Sequence, residues 1–338
     1  MSNTFVIAEA GANHDRKFAQ AFRLIDVAIK SGADAVKFQT YSSDTLYSKY
    51  TPDFAGHKNI PELIKSIELP REWQKELKLY CDDNGIEFMS TPFDERAVDE
   101  LYDLGVKRFK IAGFESTDPR LVKYVASTKL PLIISLGIGT DFNTMVQIKN
   151  WILEVNNNPD ITFLHCNNAY PTPFEDINLK HMSNMIYNGL KGVMKFGLSD
   201  HTEGILTPPI AVALGAEVIE KHYTIDRSLS GPDHPFAIEP DELKEMVKNI
   251  RLVEKMMNIK SEQYTKSEKG FSMARRSVIV KGDVKQGDII TKDNITTKRP
   301  LLEDSIPAVE YYELIGKHFT KDLGDDVILT RDDVKWIF

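Results

Sequence analysis

Three ionisable residues stand in a row, Glu220-Lys221-His222, directly after the apolar pair Val218-Ile219. They belong to the stretch "EVIEKHYTIDRSLSGPDH", residues 217–234. An exposed strand terminus or a solvated loop edge is one interpretation. Burying such a row at the end of an internal strand would be costly unless the groups serve a ligand. We therefore favour the other interpretation, that a catalytic centre lies here.

Polar residues also follow each of the seven other strands predicted within the first 222 residues. In chain order, the eight strand ends carry Glu9, Asn13 and His14; Lys37 and Gln39; Thr91; Lys110 and Glu115; Ser135; His165, Asn168 and Tyr170; Ser199, Asp200 and His201; and Glu220, Lys221 and His222. A single polar strand end is common. Eight of eight predict a functional mouth on one side of the fold.

Two kinds of chemistry are indicated by these residue types. Lys37 and Lys110, together with the hydroxyls of Thr91, Ser135 and Ser199, are suited to a phosphate and a carboxylate. No P-loop is present, which argues against a nucleotide. The second kind is metal chemistry.

His201 and His222 follow consecutive predicted strands, so they are candidates to share one divalent metal ion. Two imidazoles without a third fixed ligand leave positions open for water and substrate, as Lewis-acid catalysis requires. The alternative for each histidine is a hydrogen-bonded core residue. From the residues alone the two interpretations are evenly balanced.

The elements that must position these residues form a repeating strand–helix pattern. The predicted strands are Phe5–Ala8, Ala35–Gln39, Glu87–Ser90, Arg108–Ile111, Leu132–Ser135, Thr162–Cys166, Val193–Gly197 and Val218–Glu220. Amphipathic segments such as "RKFAQAFRLIDVAIKSG" lie between them and end at glycine. The pattern predicts an α/β protein with a (β/α)₈ TIM barrel. A doubly wound open sheet is the alternative, but it lacks its glycine-rich loop here.

The C-terminal part of the chain has a different texture. Residues 259–276 are polar and are predicted to be a linker between a barrel domain, 1–258, and a small domain, 277–338. Within the small domain, "DVKQGDIITKDNI" from Asp283 matches "DLGDDVILTRDDV" from Asp322. We interpret the match as a duplicated turn–strand unit, with chance similarity as the alternative. The long connection 41–70 shows no clear period and is predicted to be a functional loop.

Composition excludes several classes of protein. The 338 residues carry a net charge of −8 without a basic stripe, which excludes a nucleic-acid-binding face. No apolar run reaches the roughly 18 residues of a membrane span, and the first residues, "MSNTFVIAEAG", lack the basic start and long apolar core that are typical of a signal peptide. The two cysteines, Cys81 and Cys166, are too few for a disulfide framework. We expect a cytoplasmic protein with neither nucleic-acid nor membrane partners.

The same stretches resemble the sialic acid (N-acetylneuraminate) synthase family, including legionaminate and pseudaminate synthases. The matching motifs are "IAEAGANH", "AVKFQ", "STPFD", "FKIA", "LHCNNAYPTP", "GLSDHT", "EKHYTIDRSLSGPDH", "ARRS" and "KRP", in the family's order. The resemblance implies a (β/α)₈ barrel followed by an antifreeze-like (SAF) domain. It also implies a domain-swapped homodimer that condenses phosphoenolpyruvate with an open-chain N-acylated amino sugar, giving a nine-carbon 2-keto acid and phosphate.

The resemblance also implies a role for individual residues. Phosphoenolpyruvate would be held by Lys37, Thr91, Lys110, Ser135, Asn168 and Ser199; the acceptor sugar by Gln39, Tyr170, Asp233 and, across the dimer, Arg299; and Mn²⁺ or Mg²⁺ by His201 and His222. Glu115 would transfer the proton at the reacting end of the sugar, Glu9 would lie beside the metal and the substrates, and His222 would be essential for catalysis.

Three departures from the family's pattern bear on the acceptor. Gly113 stands where many members have a serine, and Leu136 where a threonine is common. The loop after Arg299 reads "LLEDSIPAVEYY" where the motif usually continues with glycine. Residues that select the acceptor are expected within 41–70. Two alternatives remain open: a barrel that condenses phosphoenolpyruvate with a phosphorylated sugar, and a non-catalytic carbohydrate-binding relative.

Overall fold

Eight parallel strands and their connecting helices make up the first of two structural units. The computed structural model describes residues 3–53, 58–186, 194–258 and 264–336. Contacts divide the chain into Met1–Asn258 and Ile259–Phe338. The predicted linker, 259–276, lies partly outside the described residues; its later part contains a 3₁₀ turn, Lys269–Ala274.

The strands of the first unit form a (β/α)₈ barrel, as predicted. They are β1 (Phe5–Glu9), β2 (Ala35–Thr40), β3 (Glu87–Pro92), β4 (Phe109–Ile111), β5 (Leu132–Leu136), β6 (Ile161–Cys166), β7 (Lys195–Asp200) and β8 (Val218–His222). The sheet runs in the order β3-β2-β1-β8-β7-β6-β5-β4, and β3 and β4 contact each other to close the ring. The carboxyl ends of all eight strands therefore surround one mouth.

Helices occupy the connections between the strands and follow the last strand. They are α1 (Phe18–Ser31), α2 (Ser43–Leu46), α3 (Ile60–Ile67), α4 (Gln74–Asp83), α5 (Glu95–Leu104), α6 (Pro119–Ser127), α7 (Phe142–Val155), α8 (Leu179–Met185), α9 (Thr207–Ala213) and α10 (Pro240–Met257). In α5 the Asp94 side chain accepts from the backbone N–H of Ala97, and Gly105 ends the helix in the left-handed conformation. None of the described helices is both long and apolar enough to cross a membrane.

Strand alternation divides the barrel interior into an apolar layer and a polar layer. Ile7, Met89, Ile133, Leu164 and Val218 pack together inside the barrel and close its lower part. Because side chains alternate along a strand, residues two positions further on point into the same interior, nearer the mouth. These residues are Glu9, Thr91, Ser135, Cys166 and Glu220, all buried. The polar mouth thus rests on a packed floor.

Two features differ from the sequence-based expectation. Strands β1, β2, β3, β5, β7 and β8 extend beyond their predicted ends; at β1, β7 and β8 parallel pairing continues as far as Glu9 opposite His222 and Asp200 opposite Lys221. The predicted start of the seventh strand, Val193, lies outside the described residues. The connection 41–70 was predicted to lack a period, and this is wrong for its second half: α3 presents Ile60, Leu63, Ile64 and Ile67 at helical spacing.

The second unit contains short elements around a small core of its own. They are β9 (Ser277–Val280), β10 (Ile295–Lys298), α11 (Tyr311–Leu314), β11 (His318–Phe319) and β12 (Val334–Lys335). The two similar segments pair with each other reciprocally. The N–H of Gln286 donates to Asp322 at 2.8 Å, and the N–H of Asp325 donates to Asp283 at 3.1 Å. Gln286 and Asp325 occupy equivalent positions in the two segments, as do Asp283 and Asp322. The two hydrogen bonds are therefore equivalent, which supports the duplication.

Candidate active site

Lys37 is the centre of the first half of the polar layer. Its Nζ lies 2.7 Å from Oε2 of Glu9 and donates to Oγ1 of Thr91 at 3.0 Å. Burial opposes the charge of the ammonium group, but the carboxylates of Glu220 and Glu9 outweigh this effect and raise the pKa of Lys37. Lys37 therefore remains a cation.

Lys110 is the second buried cation of the layer. Its Nζ donates to Oγ of Ser135 at 2.8 Å and lies 3.5 Å from Oε1 of Glu220. Burial lowers the pKa of Lys110. Burial also opposes ionisation of Glu220, but Lys110 and Lys37 outweigh it and lower the Glu220 pKa. The Ser199 hydroxyl donates to the same carboxylate at 3.0 Å, so Glu220 joins the two lysines to the predicted serine.

The two histidines meet at the ends of β7 and β8. The ring centroids of His201 and His222 are 5.4 Å apart. Nδ1 of His201 is 2.6 Å from the carbonyl oxygen of Asn167. With Nδ1 as the donor in this contact, Nε2 of the ring points away from Asn167 and carries the free lone pair. Nδ1 of His222 is buried and has no hydrogen-bond partner among the described residues; Oδ2 of Asp233 is 3.8 Å away.

This pair fits a divalent metal ion. Burial lowers the pKa of His201 to about 4 and that of His222 well below its ordinary value, so both rings are neutral and their lone pairs are free for a cation. Within the described ranges, no three His, Cys, Asp or Glu side chains are grouped closely enough for a complete metal cage. The chain therefore offers two imidazoles, with Asp233 nearby.

Tyr170 covers the histidines from the side of the β6–α8 loop. Its ring centroid lies 4.2 Å from that of His201 and 6.0 Å from that of His222. The Phe236 ring also packs against Tyr170 and His222. Phe236 carries no ionisable group and was not singled out in the sequence. Its aromatic contacts restrict the orientation of the His222 ring.

Glu115 lies beyond β4, near the same mouth. Burial raises its pKa to about 7, against a smaller opposing effect of Lys110. One carboxyl oxygen, Oε2, is buried without a hydrogen-bond partner among the described residues. Near neutral pH both the acid and the carboxylate are populated, which is the condition for transferring a proton in either direction.

Gly113, one of the departures from the family's pattern, lies next to the side chain of Asn168. A Cβ atom at Gly113 would lie 2.9 Å from Oδ1 of Asn168, and one at Gly137 would overlap the same atom at 1.6 Å. The amide of Asn168 therefore occupies the space above both glycines. An amide group from the loop after β6 thus lies beside the backbone at the position where many family members have a serine.

Two adjoining cavities collect most of the predicted site residues. The inner cavity, of about 40 Å³, is lined by Glu9, Lys37, Gln39, Thr91, Lys110, Ser135, Asn168, Tyr170, Ser199, His201, Glu220 and His222. The outer cavity, of about 250 Å³, shares Gln39, Tyr170 and His222 with it and adds Asp233. Gln39 donates to Glu9 at 2.8 Å where the two cavities meet.

Of the predicted site residues, Glu115 and Arg299 line neither of these two cavities. Arg299 belongs to the second unit, so its predicted contact with the sugar stays a prediction. Glu220 had been noted in the opening triplet without an assigned role, although strand alternation places it on the same face as His222. Lys221 points the other way and pairs with Asp200 at 2.7 Å on the outer side of the barrel.

The fold and site define a (β/α)₈ barrel enzyme with a C-terminal SAF domain. The model of the NeuB family matches residues 24–262, and that of the SAF domain matches residues 275–335. The chain belongs to the NeuB family and is an enzyme of the sialic acid synthase type.

Three known proteins illustrate this relationship. The chain is 39% identical to the N,N'-diacetyllegionaminic acid synthase of Campylobacter jejuni, with 97% of this chain and 99% of that protein covered. It is 35% identical to a pseudaminic acid synthase of C. jejuni, with 98% and 96% covered. The solved N-acetylneuraminic acid synthetase of Leptospira borgpetersenii has a TM-score of 0.71 at 32% identity, with 80% of this chain and 90% of that chain covered.

Proposed function

We propose that this enzyme condenses phosphoenolpyruvate with an open-chain N-acylated amino sugar, producing a nine-carbon 2-keto acid and phosphate. One observation carries the proposal: two buried lysines and two neutral histidines surround the same small cavity. The lysines suit the anionic substrate, and the histidines suit a divalent ion beside the sugar's aldehyde.

The lysines and hydroxyls bind the anion in this proposal. Lys37 with Thr91 and Lys110 with Ser135 form two donor pairs on neighbouring parts of the inner cavity. One pair suits the phosphate of phosphoenolpyruvate and the other its carboxylate, with Asn168 and Ser199 completing the hydrogen bonds. Because the donors are buried, their hydrogen bonds to a charged ligand are strong.

His201 and His222 would hold Mn²⁺ or Mg²⁺. When bound, such an ion acts as a Lewis acid toward the aldehyde oxygen of the sugar. Oxygen ligands suit Mn²⁺ and Mg²⁺, and the open positions beside the two histidines, next to a carboxylate, leave room for such ligands. Glu9, hydrogen-bonded to Gln39, lies between the anion-binding lysines and the sugar side of the mouth.

The bonds change as follows. The methylene carbon of phosphoenolpyruvate attacks the aldehyde carbon, forming the new C–C bond. Glu115, with a pKa near 7, donates the proton to the aldehyde oxygen, which becomes a hydroxyl. Water adds to the second carbon of the former phosphoenolpyruvate and returns one proton to Glu115. The bond from that carbon to the phosphate oxygen then breaks, the carbon becomes the ketone, and the second proton of the water leaves with the phosphate. Lys37 and Lys110 stabilise the charge on the departing phosphate.

A domain-swapped homodimer is part of the proposal. In it, Arg299 of the second unit reaches the sugar's N-acyl group in the partner's barrel. Support comes from the "KRP" motif in the matched SAF segment and from the relatives that share both segments over nearly their whole length. The measured mass of the protein in solution tests the dimer directly.

The experiment for the reaction combines purified protein, phosphoenolpyruvate, Mn²⁺ and N-acylated amino sugars. We expect phosphate release that requires both substrates, and a product mass equal to the sugar plus a pyruvate unit. His222→Ala should remove this activity, whereas His181→Ala, on α8, should keep it. Phosphate release without a condensation product, or full activity of His222→Ala, would contradict the proposal.

A further inference from the structure

The outer cavity has one polar end and one apolar wall. Gln39, Asp233 and His222 form the polar end, next to the inner cavity. Most of the lining residues that do not border the inner cavity are apolar and come from α2 and α3: Leu46, Ile60, Leu63, Ile64 and Ile67, with Tyr47 beside them. A ligand whose reactive group lies at His222 therefore places its far end against hydrocarbon.

The apolar wall is a fixed part of the barrel mouth. The Tyr41 hydroxyl donates to the carbonyl oxygen of Ile67 at 3.1 Å, and Tyr41 is itself buried. Ser43 is held on both sides: its N–H donates to Glu68 at 2.6 Å and its hydroxyl to the carbonyl oxygen of Pro61 at 2.6 Å. These bonds join β2, α2 and α3, so the wall has a defined position relative to the catalytic residues.

The described part of this wall carries no positive charge toward the cavity. Among the described residues that line it, none is a lysine or an arginine. The charged residues of α3, Glu62 and Lys65, are exposed on its other side. A phosphate group buried here would have no cation to pair with. A hydroxyl group would exchange its hydrogen bonds to water for contact with hydrocarbon.

We infer that the acceptor sugar ends in a methyl group, so that it is a 6-deoxy sugar, and that Leu63 and Ile64 select this group. The inference rests on the proposed function, because the polar end of the cavity must hold the aldehyde. A methyl group gains from burial against the two side chains, while a hydroxymethyl or phosphate group at the same carbon is disfavoured. Helix α3, in the second half of the connection 41–70, is thereby assigned a role in substrate choice.

The test uses pairs of acceptors that differ only at carbon six. The sugars of one pair carry a 2-acetamido group alone, and those of the other pair carry acetamido groups at carbons two and four. Each pair consists of a 6-deoxy sugar and its 6-hydroxy counterpart. The corresponding 6-phosphate is tested as a third acceptor. With Mn²⁺ and saturating phosphoenolpyruvate, kcat/KM is measured from phosphate release. Discrimination by an apolar pocket against one hydroxyl reaches roughly 10- to 100-fold, and we expect a preference for the 6-deoxy member in this range.

The outcomes separate the inference from the proposed function. No release with any acceptor would overturn the proposed function, and the inference with it. Equal or better turnover of the 6-hydroxy or 6-phosphate acceptor would overturn the inference and leave the condensation reaction standing. A preference for the 6-deoxy member within an active pair supports both.

Substitutions in the apolar wall test whether Leu63 and Ile64 cause the preference for the 6-deoxy acceptor. Leu63→Ser should lower the ratio of 6-deoxy to 6-hydroxy kcat/KM by about tenfold, and Ile64→Thr, a smaller change, should lower it in the same direction. Leu79→Ser, the same substitution at an exposed position of α4, should leave the ratio unchanged. Thermal unfolding identifies variants that fail to fold. An unchanged ratio in folded Leu63→Ser and Ile64→Thr would overturn the assignment.

Discussion

Lys221 and Asp200 form a buried ion pair directly behind the two histidines. Nζ of Lys221 lies 2.7 Å from Oδ2 of Asp200, and their side chains are 1% and 0% exposed. Oδ1 of Asp200 accepts from the N–H and the hydroxyl of Thr202. The pair connects β7 to β8 one residue before each histidine, and so it fixes the register in which His201 and His222 meet.

We expect Lys221→Met to destabilise the barrel by about 3–5 kcal/mol, because it leaves the Asp200 carboxylate buried without its partner. Adding Asp200→Asn, which keeps the acceptor for Thr202, should recover part of this loss. Chemical denaturation of the two single variants and the double variant measures the coupling. Lys248→Met, at the exposed Lys248–Glu245 pair, is the control and should cost less than about 1 kcal/mol. Additive effects at 200 and 221 would show that the pair is not coupled.

Lys110→Met should weaken phosphoenolpyruvate binding more than acceptor binding. The substitution keeps the volume of the side chain and removes the donor beside Ser135. Hydrogen bonds to charged groups contribute about 1.5–3 kcal/mol, so KM for phosphoenolpyruvate should rise at least about tenfold. Initial rates with each substrate varied in turn give both values. Lys195→Met, on the exposed start of β7, should change neither; an unchanged KM for phosphoenolpyruvate in Lys110→Met would remove Lys110 from the anion site.

Glu115 should make the barrel less stable as pH rises. Its folded pKa, about 7, lies above the ordinary value of 4.5, so between these values the folded state binds more protons than the unfolded state. Its contribution to stability is therefore present below about pH 4.5 and is lost as pH rises to 7. Glu115→Gln should remove this loss. At pH 8 the free energy of unfolding of the variant should therefore exceed that of the wild type by at most about 3 kcal/mol.

Denaturation of the wild type and Glu115→Gln at pH 5 and pH 8 checks this difference. Glu245→Gln, an exposed substitution on α10, controls for general charge effects. The same Glu115→Gln protein should have a strongly reduced kcat, because an amide does not transfer the proton. A difference in stability that does not grow with pH would contradict the raised pKa.

Residues 1–258 should fold as a barrel without condensing the substrates. The first unit has its own core and contains all predicted site residues except Arg299. Circular dichroism and thermal unfolding report the fold of the fragment, and phosphate release reports its activity. Arg299→Ala in the full chain should raise KM for the acceptor while sparing that for phosphoenolpyruvate. Full activity of the fragment would contradict the role of the second unit.

The sequence predicts the barrel because its signals are local and repeated. Each strand is a short β-branched run, and each helix has its own apolar period and stop. The site follows because the ends of parallel strands converge on one mouth, which brings Lys37, Lys110, His201 and His222 together without knowledge of any contact.

Other features depend on neighbours that are distant in the chain. The space above Gly113 is filled by Asn168, and the two belong to different strand ends. The role of Glu220 depends on three partners from three other strands. The apolar period of α3 is local, but it spans only eight residues after an irregular stretch, which obscures it in the sequence. The contact of Arg299 with the sugar requires another copy of the chain.

Manganese binding tests the central claim most directly, namely that His201 and His222 hold one divalent ion beside the anion-binding lysines. Isothermal titration of Mn²⁺ into the metal-free protein should give one site per chain, which His201→Ala with His222→Ala removes and His181→Ala keeps. Phosphoenolpyruvate binding to the double variant should persist through Lys37 and Lys110. Unchanged Mn²⁺ affinity in the folded double variant, together with unchanged turnover, would contradict the claim.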